Sequence, residues 1–184
     1  MLPIITALKT RLRDRRILHL MTQARALSER ADYNQAYRFY RQAAELGCVR
    51  AICIMGMMLY HGQGVPKNES MAFLCLTFSA GKQDAEAQYF LGEFYRLGIG
   101  TKRDNKEALY WLQESAASGQ RHESQLEAQY RFACMLLHGQ GIEPNPEMAL
   151  YWFTEAANEG YEPAKAFLTN CMPGYVSKDE KKNI

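Results

Sequence analysis

Four alanines, Ala36, Ala72, Ala108 and Ala149, stand 36, 36 and 41 residues apart, and the residues around them repeat in register. Four positions before each lies Asp32, Asn68, Asp104 or Asn145, residue types whose side-chain oxygens cap helix N-termini. Three positions after each comes Phe39, Cys75, Trp111 or Trp152, and eight after comes Ala44, Ala80, Ala116 or Ala157. Gly47, Gly119 and Gly160 then close three of the four segments, as a left-handed residue past a helix end should. A period of this length constrains the fold more than any other feature. One such unit cannot bury its own apolar face, so successive units must stack on one another.

Each period predicts a helix pair. Helix B contains the repeat alanine: Asp104 has Glu107 three residues on, a capping-box arrangement, and Asn145 precedes Pro146 at the first helical position. Helix A lies upstream and reads AICIMGMMLYHGQG from Ala51, AQYFLGEFYRLGIG from Ala87 and AQYRFACMLLHGQG from Ala128. Five residues after each opening alanine comes a small residue, Gly56, Gly92 or Ala133, expected where neighbouring helices approach closely. No strand pattern competes.

The segments HGQGVPKN from His61 and HGQGIEPN from His138 raise a chemical alternative, because glycine-rich oxyanion loops of some esterases look similar. The chain holds no GxSxG and no sheet pattern to carry a nucleophile. The G-x-G is therefore read as the turn between helices A and B, its glycines supplying positive φ.

Taken together, A-x-x-x-L-G-x-x-Y-x-x-G-x-G, then Asp or Asn, then A-x-x-W and A-A-x-x-G, resembles the Sel-one-like repeat, a relative of the tetratricopeptide repeat. AQYFLGEFYRLGIG with DNKEALYWLQESAASG matches almost throughout, and the resemblance covers roughly residues 15–170. It implies an all-α fold, a right-handed α-solenoid of antiparallel helix hairpins in one repeat domain over residues 1–170. The units are a tetratricopeptide-like one at 15–47 and Sel-one-like ones at 51–83, 87–119 and 128–160, with a capping helix at 164–172 and a polar tail at 173–184 that is expected to fray. Departures from the pattern are the missing G-x-G of the first unit, Cys75 for Trp, Gln83 for the terminal Gly, Thr101 for Val, Ala133 for Gly, and an insertion within GQRHESQLEA.

Charge and cysteines narrow the function. The net charge is +2, yet residues 1–50 hold ten Lys/Arg against four Asp/Glu, so the basic groups gather at one end. No apolar run is long enough for a membrane span. The start, MLPIITALKTRLRDRR, places its apolar residues before its basic ones, the reverse of a secretory signal. A mitochondrial presequence is the lesser alternative to a cytoplasmic protein. Cys48, Cys53, Cys75, Cys134 and Cys171 follow no period and form no CxxC, which predicts reduced thiols. No metal or cofactor is expected, because His61 and His138 belong to units separated by a whole repeat.

What the resemblance implies is a non-catalytic adaptor or scaffold, of a kind widespread in bacteria, gripping a partner protein in a concave groove lined by the A helices. The cysteine-rich branch of the family supplies the alternative of a cysteine-dependent enzyme or redox-linked assembly factor, but that branch carries regularly paired cysteines. On each A helix the third, sixth and tenth positions after the opening alanine are those the repeat leaves free. They are Ile54, Met57 and His61; Phe90, Glu93 and Leu97; and Arg131, Cys134 and His138. Aromatic, Met and Arg side chains suit a protein interface, whereas a nucleic acid would need a basic groove. Trp111 and Trp152 are expected to be buried between helices, and Met55, Met57 and Met58 to act mainly as core filler.

Overall fold

The structure is a computed structural model that describes residues 2–119 and 123–171. Among these residues it is all helix: α1 (Leu2–Glu29), α2 (Tyr33–Glu45), α3 (Val49–His61), α4 (Glu69–Gly81), α5 (Ala85–Leu97), α6 (Asn105–Ala116), α7 (Glu123–His138), α8 (Pro146–Asn158) and α9 (Glu162–Cys171). The expected tail at 173–184 and part of the insertion before Ala128 lie outside the described residues. No helix among those described is long and apolar enough to cross a membrane.

Helices pack as successive hairpins, α1 on α2, α3 on α4, α5 on α6 and α7 on α8, with α9 against α8. Contacts gather into two compact units, Met1–Asp84 and Ala85–Ile184. In the first, the core is built on Leu20, Ala24, Ala36, Tyr40, Ala43, Ala51 and Met58. In the second, Leu112, Phe132, Met135, Leu136, Phe153 and Leu168 fill the centre.

The repeat alanines Ala36, Ala72, Ala108 and Ala149 are all buried, which is why no larger side chain recurs there. The caps form as the residue types require. Asn68 Oδ1 accepts from the Met71 amide at 3.0 Å, Asp104 from Lys106 and Glu107, Asn145 from Met148, and Asp32 from Gln35. The backbone of three of these residues also ties B to A: the amides of Asn68, Asp104 and Asn145 donate to the Leu59, Tyr95 and Leu136 carbonyls at 2.8–2.9 Å.

The G-x-G segments are turns. Gly64 (φ +72°) and Gly141 (φ +88°) are left-handed, and each also abuts the start of the preceding B helix. A Cβ on Gly64 would overlap the Tyr33 carbonyl, and one on Gly141 the Asn105 carbonyl. At Gly92 a Cβ would stand 2.7 Å from Leu112 Cγ, so the small residue serves the close A–B approach.

Two expectations change. The tryptophans are only half-buried; the deepest large side chains sit one position later, at Tyr40, Leu76, Leu112 and Phe153, which are 0–5% exposed. Helical geometry explains the shift: four residues from the repeat alanine returns to the same stripe, whereas three lies at its margin. The first helix also begins far upstream of position 15. Nothing between Leu2 and Glu29 breaks it, although residues 6–16 are exposed throughout.

Candidate interaction face

The nine candidate positions lie on the A helices, and their burial separates them. Ile54, Met57, Phe90, Glu93 and Cys134 are half-buried, whereas His61, Leu97, Arg131 and His138 are exposed. The third and sixth offsets flank the buried stripe, while the tenth falls at the helix end beside the turn. That difference follows from helical register.

In the first unit, Ile54 lines a surface depression with Met21, Thr22, Arg25, Tyr40 and Arg50, so α1 contributes its walls. Ile54 also packs against the core there, as does Met55. Met58 is 4% exposed, which makes it core, while Met57 remains half-buried. His61, at the end of α3, has its ring 4.8 Å from that of Tyr60.

In the second unit, α5 and α7 lie side by side. This brings Glu93, Arg131 and Cys134 together with residues that sequence spacing did not mark. Arg96 donates two hydrogen bonds to Glu93, Nε to Oε1 at 2.8 Å and an Nη to Oε2 at 2.7 Å, within a pair only 25% and 13% exposed. That bidentate pairing holds the Arg96 guanidinium above its ordinary pKa. The Tyr89 phenol, 8% exposed, is hydrogen-bonded to the Glu127 carboxylate; burial first, then that carboxylate, raises its pKa. Tyr130 is hydrogen-bonded to Cys134. Burial pushes the Cys134 thiol up, only partly offset by the Tyr130 hydroxyl and by Arg131 and Arg96.

Arg131 is exposed, near enough to Tyr89, Tyr130, Tyr161 and Cys134 to influence them. Among the described residues no carboxylate reaches it within ion-pair distance. Phe90 packs against the second core, its ring 5.2 Å from that of Tyr89. Leu97 is 54% exposed, and His138 ends α7.

What this arrangement offers chemically is hydrogen bonding and apolar contact. It presents a guanidinium without a carboxylate partner among the described residues, phenols able to donate and accept, and apolar area at Phe90 and Leu97. A thiol held above its ordinary pKa is the opposite of an activated nucleophile. Among the described residues no three His, Cys, Asp or Glu side chains converge as metal ligands would. The five cysteines are all free. Tyr89, Arg96, Glu127, Tyr130 and Tyr161 join this candidate face without having been marked by the sequence, because their association depends on how α5, α7 and the segment before α9 are juxtaposed. The recurring Gln-Tyr after the opening alanine, at Tyr89 and Tyr130, was the one signal available.

A Sel1 repeat profile matches residues 26–48, 49–83, 85–120 and 126–161. Among solved structures, a Sel1 repeat protein from Oxalobacter formigenes is 28% identical, with a TM-score of 0.67 over 75% of this chain and 55% of that one. A protective antigen present in uropathogenic Escherichia coli strains, displaying an SLR fold, is 27% identical with a TM-score of 0.69, over 78% of this chain and 30% of that one. The chain thus spans about half of the first relative and under a third of the second. Cysteine rich protein B of Helicobacter pylori, at 21% identity and a TM-score of 0.58 over 74% of this chain and 95% of that one, shares the fold.

Proposed function

The chain belongs to the Sel1 repeat family, whose repeats generally serve as protein-interaction scaffolds, and we propose that it is a non-catalytic adaptor that binds a partner protein through its A helices. The observation that carries the reading is the α5–α7 surface, where exposed Arg131 lacks a carboxylate partner among the described residues and stands among tyrosines. Interface hot spots are enriched in Tyr, Trp and Arg. Ile54, Met57 and His61 on α3, Phe90, Glu93 and Leu97 on α5, and Arg131, Cys134 and His138 on α7 are the proposed contact positions. Tyr89 and Glu127 orient the surface from beneath.

The proposed partner is a protein, with no nucleic acid and no cofactor. Unlinked thiols fit a cytoplasmic setting. A cysteine-dependent enzyme has less support, since burial raises the thiols of both Cys75 and Cys134.

The experiment is affinity capture from the native cell to identify the partner, then a binding titration of four variants. Phe90→Ala and Arg131→Glu should each weaken binding by about 2 kcal/mol or more, and Glu114→Lys and Glu155→Lys on the B helices should barely matter. Circular dichroism checks folding, above all for Phe90→Ala, whose ring reaches the core. Loss of binding confined to the B-helix pair would defeat the assignment.

A further inference from the structure

The B helices are not equivalent on their outer side. Relative to the repeat alanine, the positions one before, two after and six after share one face of the helix. They are Gln35, Arg38 and Gln42 on α2; Glu107, Tyr110 and Glu114 on α6; and Met148, Tyr151 and Glu155 on α8. Each of those rows carries at least one polar or charged side chain. On α4 the row is Met71, Leu74 and Phe78, which are 46%, 57% and 50% exposed. The buried side of α4 is complete without them, since Ala72, Leu76, Ser79 and Ala80 fill it. The stripe therefore adds nothing to the core, and a solvent-facing row of three large apolar residues marks a contact surface.

Charge indicates what covers it. Lys82, just past the helix end, places its ammonium 5.8 Å from the Phe78 ring centroid and has no carboxylate partner among the described residues. Lys67, just before the helix, lies 5.4 Å from the Tyr60 ring centroid and is paired with Glu69 at 2.9 Å. Residues 1–84 carry twelve Lys/Arg against six Asp/Glu. In a parallel pair of α4 helices the two Lys82 ammoniums would meet, and in an antiparallel pair each would meet only Glu69, already paired with Lys67, so a second copy does not supply the carboxylate that Lys82 lacks. We propose that the outer face of α4 is a second docking surface, taking an amphipathic helix of a partner protein whose apolar stripe is flanked by Asp or Glu. Spacing of i, i+3 and i+7 on both helices lets the side chains interdigitate. The adaptor then holds one partner on its A helices and another on α4. A contact this small makes a weak, exchangeable complex.

The test uses the full chain and two labelled synthetic helical peptides of about 14 residues, each with Leu at i, i+3 and i+7 and flanked by Glu in one and by Lys in the other. Fluorescence anisotropy should show the Glu-flanked peptide binding about tenfold or more tighter than its Lys-flanked twin. Phe78→Glu places at this position the residue type that α6 and α8 already carry, so folding should survive, and it should weaken binding about tenfold. Lys82→Glu should erase the preference for acidic flanks, while Arg131→Glu on α7 should leave the peptide's affinity unchanged. That last variant separates failure here from failure of the A-helix reading. No saturable binding up to about 1 mM overturns the proposal. So does equal binding of both peptides, or a concentration-dependent dimer of the chain that Phe78→Glu abolishes.

Discussion

Gln83 occupies the position that glycine holds at the end of the other units, and it adopts φ +64°. An L side chain there costs about 1–2 kcal/mol relative to a residue free of a Cβ. Gln83→Gly should therefore raise stability by about 1 kcal/mol, read as an upward shift of the urea midpoint without a change in slope. A midpoint that falls would mean that the Gln83 side chain contributes more than its backbone costs. Gly100 is also left-handed, at φ +65°, so Gly100→Val should destabilise by about 1–3 kcal/mol. Tyr89 supplies a pH dependence. Burial and the Glu127 carboxylate raise its pKa in the folded state, so the unfolded chain gives up that proton first as pH rises. Its contribution is full below about pH 10 and declines above it. Denaturation followed between about pH 8 and 11 should show a shallower decline in Tyr89→Phe than in the parent, and an identical slope would remove Tyr89 as the cause.

On the scale of the helices, the order of burial along each B helix can be tested. Phe153 is 1% exposed and Trp152 half-buried, so Phe153→Ala should cost about 3–5 kcal/mol and Trp152→Ala less, despite the larger ring. Hydrogen exchange should place the loss from either variant in α7, α8 and α9 first, since repeat contacts are mainly between neighbours. The helices and their caps were legible because capping oxygens, repeat alanines and turn glycines are local requirements, each met within a few residues. Trp152 misled because its size and periodicity mark the edge of the stripe as readily as its centre. Ser79 and Ser115 carried no signal at all. Both are fully buried, and their hydroxyls donate to the Val49 and Ala85 carbonyls at 3.3 and 2.8 Å, tying the end of a B helix to the start of its own A helix. A serine inside an apolar pattern reads as tolerated, and its acceptor 30 residues upstream is visible only once the hairpin is closed.

For the whole chain, the repeat architecture was readable, whereas the grouping of side chains at the candidate face was not. Glu93, Arg131 and Cys134 share no local motif. What unites them is the packing of α5 beside α7, which also brings in Arg96, Tyr89 and Glu127. Candidate positions at the tenth offset, His61, Leu97 and His138, were chosen by the same rule but fall at the last residue of α3, α5 and α7. The turn glycines carry a further consequence, one about ancestry and synthesis. Gly64 rests on the Tyr33 backbone and Gly141 on the Asn105 backbone, so at these two glycines the turn is moulded on main-chain atoms of the unit before it. At that point of the junction a neighbour is met by its backbone, so the turn itself need not change when a unit is duplicated, whatever the side-chain packing around it requires. It also gives assembly a direction: as the chain emerges from the ribosome, the surface each new turn needs has already been made.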